Sequence, residues 1–194
     1  FRRVLFRSYR LEEWTEKLDL SYFYTEAEKR GYENNRNQQV LVDCFNNERK
    51  RQVWILYQNT LPIGSVAAHS LDLPELGENS YRICVRTCTF VEAVPRKTLS
   101  TSTVIFNQHQ NLTAQFFIPK CIEWCGEDSN MFISSNNSPV ASQRLVHSRY
   151  CPTLEKAGTL SKTAELMYRG HLQTFWKLNV DVFYKQLNMY PRWS

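Results

Sequence analysis

The chain has 194 residues, of which 42% are hydrophobic and 13% are aromatic. This apolar content is enough for a hydrophobic core and excludes a disordered chain. No run of about 18 apolar residues occurs, so the sequence predicts no membrane span. The formal net charge falls from +5 to +2 when Arg2, Arg3 and Arg7 are left out, which weakens the case for nucleic-acid binding.

The first eight residues, at 1–8, match the in-frame translation of a short-read sequencing adapter. Such a segment is not expected to belong to the fold, and it indicates a gene assembled from environmental DNA, for which loss of the true N-terminus is an expectation. The alternative is a natural basic N-terminus. Residues 9–194 are expected to form a single domain. Six cysteines in no dense pattern favour buried thiols and a reducing cytoplasm over a disulfide framework.

The first part of the chain predicts helices. Apolar residues recur at helical spacing at Leu11, Trp14 and Leu18. The acidic residues Glu12 and Glu13 would lie in the first turn of this helix. A second helix is predicted to begin after Asp19 or Ser21 and to end at Gly31, and a short helix is predicted over 40–45.

The next part predicts strands. Residues 53–57 and 63–68 are apolar runs separated by a turn over 58–62, which predicts a hairpin. After a loop over 72–79, residues 80–91 predict the longest strand, whose side chains alternate between two faces.

The C-terminal half predicts helices alternating with strands. A polar stretch over 95–111 precedes a helix from Leu112, and Pro119 is expected either to kink that helix or to begin a new one. The later elements are a strand over 131–134, a helix over 141–157 that Pro152 disturbs and Gly158 closes, one or two strands over 166–178, and a helix over 180–187 capped by Asn179.

This order of elements resembles the GNAT superfamily of N-acetyltransferases, of which the chain would be a divergent member. The hairpin within 54–67 is similar to the superfamily's second and third strands. The resemblance implies a GNAT-like α/β domain with a central mixed sheet flanked by helices. It also implies acetyl transfer from acetyl-CoA to a small-molecule or protein amine.

The stretch 108–113 stands where the superfamily has the pattern [Gln/Arg]-x-x-Gly-x-[Gly/Ala], the loop that holds the acyl-CoA pyrophosphate. Such a loop turns backbone N–H groups toward phosphate at a helix N-terminus. Here the glycines are replaced by Asn111 and Thr113, and Asn reaches the left-handed region more readily than most residues. The resemblance implies an acyl-CoA contact set of Phe90, Val91, Gln108, Asn111, Leu112, Thr113 and Ala114.

The stretch 150–158 resembles the superfamily's Tyr-Glu-Lys-x-Gly helix end, whose tyrosine protonates the departing thiolate. Leu154 stands at that tyrosine position, and Tyr150 lies one turn earlier on the same face of a continuous helix. Tyr150 is therefore the expected general acid. Glu92, at the end of the long strand, is the expected base for the amine, with the acidic residues of the 72–79 loop as rivals.

Two alternatives remain open. The first is a GNAT-like interaction or scaffold protein without catalysis, including a virus-encoded one, which the missing glycines and the displaced tyrosine favour. The second is zinc-dependent nucleic-acid binding through Cys84, Cys88, Cys121 and Cys125. Zinc-binding pairs usually flank a tight turn, and these pairs have no such turn, so buried thiols and no metal are expected.

Overall fold

The computed structural model describes residues 9–14, 50–87, 112–137, 144 and 146–189. Seven strands lie within these residues: β1 (Tyr9–Glu13), β2 (Arg51–Gln58), β3 (Leu61–Leu71), β4 (Ser80–Thr87), β5 (Asn130–Ser135), β6 (Leu160–Tyr168) and β7 (His171–Leu178). The same residues contain three α-helices: α1 (Ile118–Cys125), α2 (Cys151–Lys156) and α3 (Val180–Met189). None of the described helices is long and apolar enough to cross a membrane.

The strands form one mixed sheet in the order β1-β2-β3-β4-β5-β7-β6. β4 and β5 are parallel, whereas β1 with β2, β5 with β7, and β6 with β7 are antiparallel. A parallel pair needs a long crossover connection, and the chain between β4 and β5 contains α1. The predicted α/β class with a mixed sheet and helices is therefore confirmed.

The chain divides into two compact units. The first unit comprises residues 1–67 and 85–120, and the second comprises 68–84 and 121–194. β3 and β4 each contribute residues to both units.

β1, in the first unit, lies where a helix was predicted. The segment around Leu11 was predicted to be helical, but it is a strand in which Leu11 lies opposite Leu56 of β2. The backbone N–H of Trp14 donates to the carbonyl of Val53 at 2.8 Å, which extends the pairing by one residue. The helical prediction was wrong because pairing with a distant strand outweighs a weak local helix preference. The other helices predicted before residue 50 lie outside the described residues.

The predicted hairpin is confirmed, and both of its strands are longer than expected. β2 buries Trp54, Ile55 and Leu56. Asn59 lies in the turn with φ 56°, a left-handed conformation that Asn adopts more readily than most residues. The described part of the long strand, β4, ends at Thr87.

The two helix prolines follow the same arrangement. A π-helical segment, Thr113–Phe117, leads into α1, whose second residue is Pro119. A second π-helical segment, Val146–Tyr150, leads into α2, whose second residue is Pro152. Proline lacks an N–H and crowds the carbonyl four residues earlier, and a π turn widens the backbone where that crowding arises. The chain therefore stays helical through both prolines.

The C-terminal hairpin, in the second unit, consists of two strands, and β6 begins earlier than predicted. Arg169 and Gly170 form its turn with φ of 51° and 79°. A bulge between Lys162 and Ala164 shifts the register of β6 against β7. Because of this extra residue, Lys162 and Glu165 share a face, and their side chains form an ion pair at 2.8 Å.

Buried residues of the second unit form a core cluster of Leu71, Leu76, Phe132 and Phe175. The rings of Phe132 and Phe175 meet edge to face with centroids 6.3 Å apart. Gly158 follows α2 with φ 81°, which confirms it as the residue that closes the helix.

Asn179 precedes α3 as predicted. Its carbonyl accepts from the N–H of Phe183 at 2.9 Å, which is the first backbone hydrogen bond of the helix. The side-chain amide of Asn179 donates to the carbonyl of Gly158 at 2.7 Å. This residue therefore joins the start of α3 to the end of α2.

Candidate functional site

The parallel strands β4 and β5 pair only at their beginnings. Three residue pairs join them, and the last is Arg82 with Phe132. β4 continues to Thr87 and β5 to Ser135 with no further pair between them among the described residues. Among the described residues, the backbone N–H and C=O groups past this last pair therefore form no hydrogen bonds between the two strands.

Arg82 occupies the position where the two strands part. Its Nε donates to the Oγ of Ser134 on β5 at 2.6 Å. Its guanidinium lies over the ring of Tyr168, 5.5 Å from the centroid, and the guanidinium of Arg169 lies 5.0 Å from the same centroid. The Nη1 of Arg82 is buried and has no hydrogen-bond partner among the described residues.

A second polar group surrounds Ser135, the last residue of β5. The indole Nε1 of Trp176 lies 2.8 Å from Ser135 Oγ, and Nδ1 of His147 lies 2.9 Å from it. An indole N–H can only donate, so the serine oxygen accepts from Trp176. The hydroxyl hydrogen then remains for His147 or for the sulfur of Cys151, which also hydrogen-bonds Ser135.

Two thiols of the second unit, those of Cys121 and Cys151, have a raised pKa that keeps them protonated. Burial raises the pKa of Cys151 to about 12, although the hydrogen bond from Ser135 acts in the opposite direction. Burial also raises the pKa of Cys121 well above its usual range, with smaller contributions from Cys125 and Cys84. A protonated thiol is a poor nucleophile, so Cys121 and Cys151 are poorly suited to nucleophilic catalysis.

The structure describes three of the four cysteines of the zinc alternative. Cys121 and Cys125 are buried as predicted, and Cys84 is half-buried. Cys88 lies outside the described residues. Within the part of the chain that the structure describes, no group of three or more His, Cys, Asp or Glu is arranged to hold a metal ion.

The described members of the predicted acyl-CoA set lie on the helical segment that leads to α1. Leu112 is buried and has helical φ and ψ of −64° and −41°. Thr113 and Ala114 are half-buried and begin the π-helical segment. These three residues belong to the first unit. The other members of the set, Phe90, Val91, Gln108 and Asn111, lie outside the described residues.

Tyr150, the predicted general acid, belongs to the second unit. It is half-buried, and its φ of −73° and ψ of −52° are helical, so the chain is helical from Tyr150 to Leu154. The continuity on which its selection depends is therefore confirmed. Glu92, the predicted base, lies outside the described residues, and its rivals Asp72, Glu75 and Glu78 are exposed.

The polar groups around Arg82 and Ser135 were not predicted. Arg82 carries a signal that could have revealed it, because a charged side chain stands between the buried Tyr81 and Ile83 of a strand. Ser135 and His147 carry no such signal. Their contact joins the end of a strand to a helix, and only the folded chain brings these two residues together.

Three solved structures are similar to this fold. A GNAT-family protein from Desulfovibrio desulfuricans matches with a TM-score of 0.51 at 11% identity, over 89% of this chain and 99% of that one. FeeM, an N-acyl amino acid synthase from uncultured soil microbes, matches with a TM-score of 0.50 at 10% identity, over 95% and 99%. An uncharacterised protein from Bacillus halodurans matches with a TM-score of 0.51 at 10% identity, over 94% and 89%. No protein-family model and no curated protein matches the chain. The chain has a divergent form of the GNAT fold, as its order of elements predicts.

Proposed function

We propose that the protein transfers an acyl group from an acyl-CoA, with acetyl-CoA as the expected donor, to an amine. The observation that carries this proposal is the parting of β4 and β5 after the pair of Arg82 with Phe132. Past that pair, backbone groups of β4 would hydrogen-bond the amides of a pantetheine arm. Phe90 and Val91, at the end of the long predicted strand, would contact the same arm.

The pyrophosphate would be held by backbone amides within 111–114, next to Gln108. The helical backbone at Leu112 supports this assignment, because the N–H groups of a helix point toward its N-terminus and attract anions there. Thr113 and Ala114 are half-buried, so this turn is not sealed inside the first unit. This partial exposure supports a pyrophosphate site at the described end of the loop.

Acetyl-CoA supplies an activated thioester when it is bound. Glu92 would accept the proton that the amine loses as its nitrogen bonds to the carbonyl carbon. Tyr150 would donate its phenolic proton to the sulfur as the carbon–sulfur bond breaks. The helical continuity from Tyr150 to Leu154 supports this role, because it places Tyr150 one turn before the position of the superfamily's tyrosine.

The second candidate is a GNAT-like interaction protein without catalysis. The observation that favours it is Leu154, which stands at the superfamily's tyrosine position and has no group that can donate a proton. Under this alternative Tyr150 has no catalytic role. The two candidates differ in whether the protein releases CoA thiol in the presence of an amine.

Release of CoA thiol from acetyl-CoA tests the proposal. The acceptors would be pooled amino acids, polyamines and a lysine-containing peptide. We expect Tyr150→Phe to lower kcat by about a hundred- to ten-thousandfold and to leave the Kd for acetyl-CoA unchanged. Tyr184→Phe is the matched control, because Tyr184 is a half-buried tyrosine on α3 with no proposed role. Binding of acetyl-CoA without thiol release from any pool would favour the interaction protein.

A further inference from the structure

We propose that the acyl acceptor is an amine that also carries a carboxylate, as an α-amino acid does, and that Arg82 binds this carboxylate. The inference rests on the proposed function and adds the chemical class of the acceptor. Arg82 is an arginine whose hydrogen bonds are incomplete.

The guanidinium of Arg82 is only partly satisfied. An arginine side chain has five N–H donors and stays charged in proteins. One of these donors, on Nε, reaches Ser134 Oγ at 2.6 Å, while Nη1 is buried without a partner. Among the residues that the structure describes, no carboxylate forms an ion pair with Arg82. A buried donor without a partner is costly, so this arrangement favours an anion beside Arg82.

Arg10 has the carboxylate partner that Arg82 lacks among the described residues. Its guanidinium also lies over a tyrosine, 5.2 Å from the ring centroid of Tyr57. Its Nε is paired with a carboxylate, Oε1 of Glu12, at 2.5 Å. Both arginines stack on a tyrosine ring, but only the exposed one has a carboxylate partner within the described chain. A carboxylate from a ligand would supply the partner that Arg82 lacks within the described residues.

The surroundings of Arg82 favour a small planar anion. Two guanidinium groups, of Arg82 and Arg169, lie over the Tyr168 ring, which concentrates positive charge there. The Tyr168 ring meets Phe175 edge to face at 5.6 Å, and Phe175 is fully buried, so the ring has a packed support. A carboxylate matches the flat fork of donors that remains on the guanidinium. Arg82 is half-buried as a whole, so part of the side chain reaches solvent.

The position of Arg82 connects this anion site with acyl transfer. Arg82 belongs to the last residue pair before β4 and β5 part. In an α-amino acid the amine and the carboxylate share one carbon atom. A carboxylate held at Arg82 would therefore keep the amine close to the point where the strands part.

Binding of matched ligands tests the inference without turnover. The probes are phenylalanine with phenethylamine and leucine with isopentylamine, each titrated by calorimetry in the presence and absence of CoA. We expect at least one amino acid to bind ten or more times tighter than the amine that lacks its carboxylate. Equal affinity within both pairs, or no binding of any probe, would overturn the inference. Acetyl-CoA binding and thiol release are measured separately and decide the proposed function.

Variants of Arg82 assign the preference to this side chain. Arg82→Met should abolish the preference for the amino acid, Arg82→Lys should keep a reduced preference, and Arg10→Met should leave it unchanged. The melting temperature of ligand-free Arg82→Met should equal or exceed that of the wild type, because an unpaired cation is removed. A folded Arg82→Met or Arg82→Lys protein with wild-type preference would contradict the inference. Weaker binding of acetyl-CoA to Arg82→Met would assign the anion to a CoA phosphate instead and would also contradict it.

Discussion

The hydroxyl oxygen of Ser135 lies 2.9 Å from Nδ1 of His147, and this contact joins the end of β5 to the π-helical segment before α2. The same oxygen accepts a hydrogen bond from the indole of Trp176 at 2.8 Å. Ser135 and Trp176 are both buried, so no water replaces a lost partner without rearrangement. This serine therefore fixes side chains from β7 and the helix at one point.

Ser135→Ala should lower the free energy of unfolding by about 1–3 kcal/mol, because it leaves the buried indole N–H of Trp176 without an acceptor. Urea unfolding measures this loss. Ser148→Ala is the matched control: Ser148 is exposed and donates to the carbonyl of Arg144 at 2.8 Å, so its removal should change the free energy by less than about 0.5 kcal/mol. Equal stabilities for the two variants would show that the buried network has no stabilising role.

The raised pKa of Cys151 predicts a loss of stability in alkaline solution. The thiol has an ordinary pKa of 9.0, which burial raises to about 12 in the folded chain. Between these values the unfolded chain has lost the proton and the folded chain retains it. The stability that the protonated Cys151 thiol contributes is therefore fully present below its ordinary pKa. As the pH rises from there toward the pKa of the folded chain, the free energy of unfolding falls by about 1.4 kcal/mol per pH unit.

Cys151→Ala removes this dependence on pH. The free energy of unfolding of the variant should fall less between pH 8 and pH 10 than that of the wild type, by about 1.4 kcal/mol. The buried Cys121 remains in both proteins, so its own contribution cancels from the difference. Urea unfolding at the two pH values checks the result, and parallel pH dependences would contradict it.

Much of the fold follows from local patterns in the sequence. The apolar run of β2 and the helix from Leu112 were predicted because each has a periodicity of its own. β1 was missed because Leu11 and Trp14 have helical spacing, while the strand that decides their conformation lies about 40 residues away. The first half of β6 was missed because most of its residues there are exposed, so no apolar alternation marks it.

The residues of the candidate site were predictable only where they lie together in one continuous segment of the sequence. The acyl-CoA loop and Tyr150 follow from local resemblance, and the described part of each lies on a helix as expected. The contact of Arg82 with Ser134 spans 52 positions in the sequence, and no local pattern encodes such a pair. The π-helical segments were also missed, because a proline in a helical pattern predicts a break and not a widened turn.

The proposed phosphate loop predicts opposite effects of two substitutions at Asn111. Asn111→Gly should keep or improve the affinity for acetyl-CoA, because glycine reaches positive φ without strain. Asn111→Val should weaken it by roughly five- to thirtyfold, since a β-branched residue resists that conformation by about 1–2 kcal/mol. Titration with pantetheine, which has no phosphate, is the control and should nearly remove the difference. Equal affinities for acetyl-CoA in all three proteins would place the phosphate site elsewhere.

Calorimetric titration of acetyl-CoA into the wild-type protein tests the central claim most directly. An acyl-CoA-dependent transferase should give saturable binding of one acetyl-CoA per chain, and pantetheine should bind more weakly because the pyrophosphate contributes through the amides of the helix N-terminus. Thermal unfolding of the same sample verifies that the protein is folded. A folded sample that gives no heat of binding at millimolar acetyl-CoA would contradict the acyltransferase proposal and would favour the GNAT-like interaction protein.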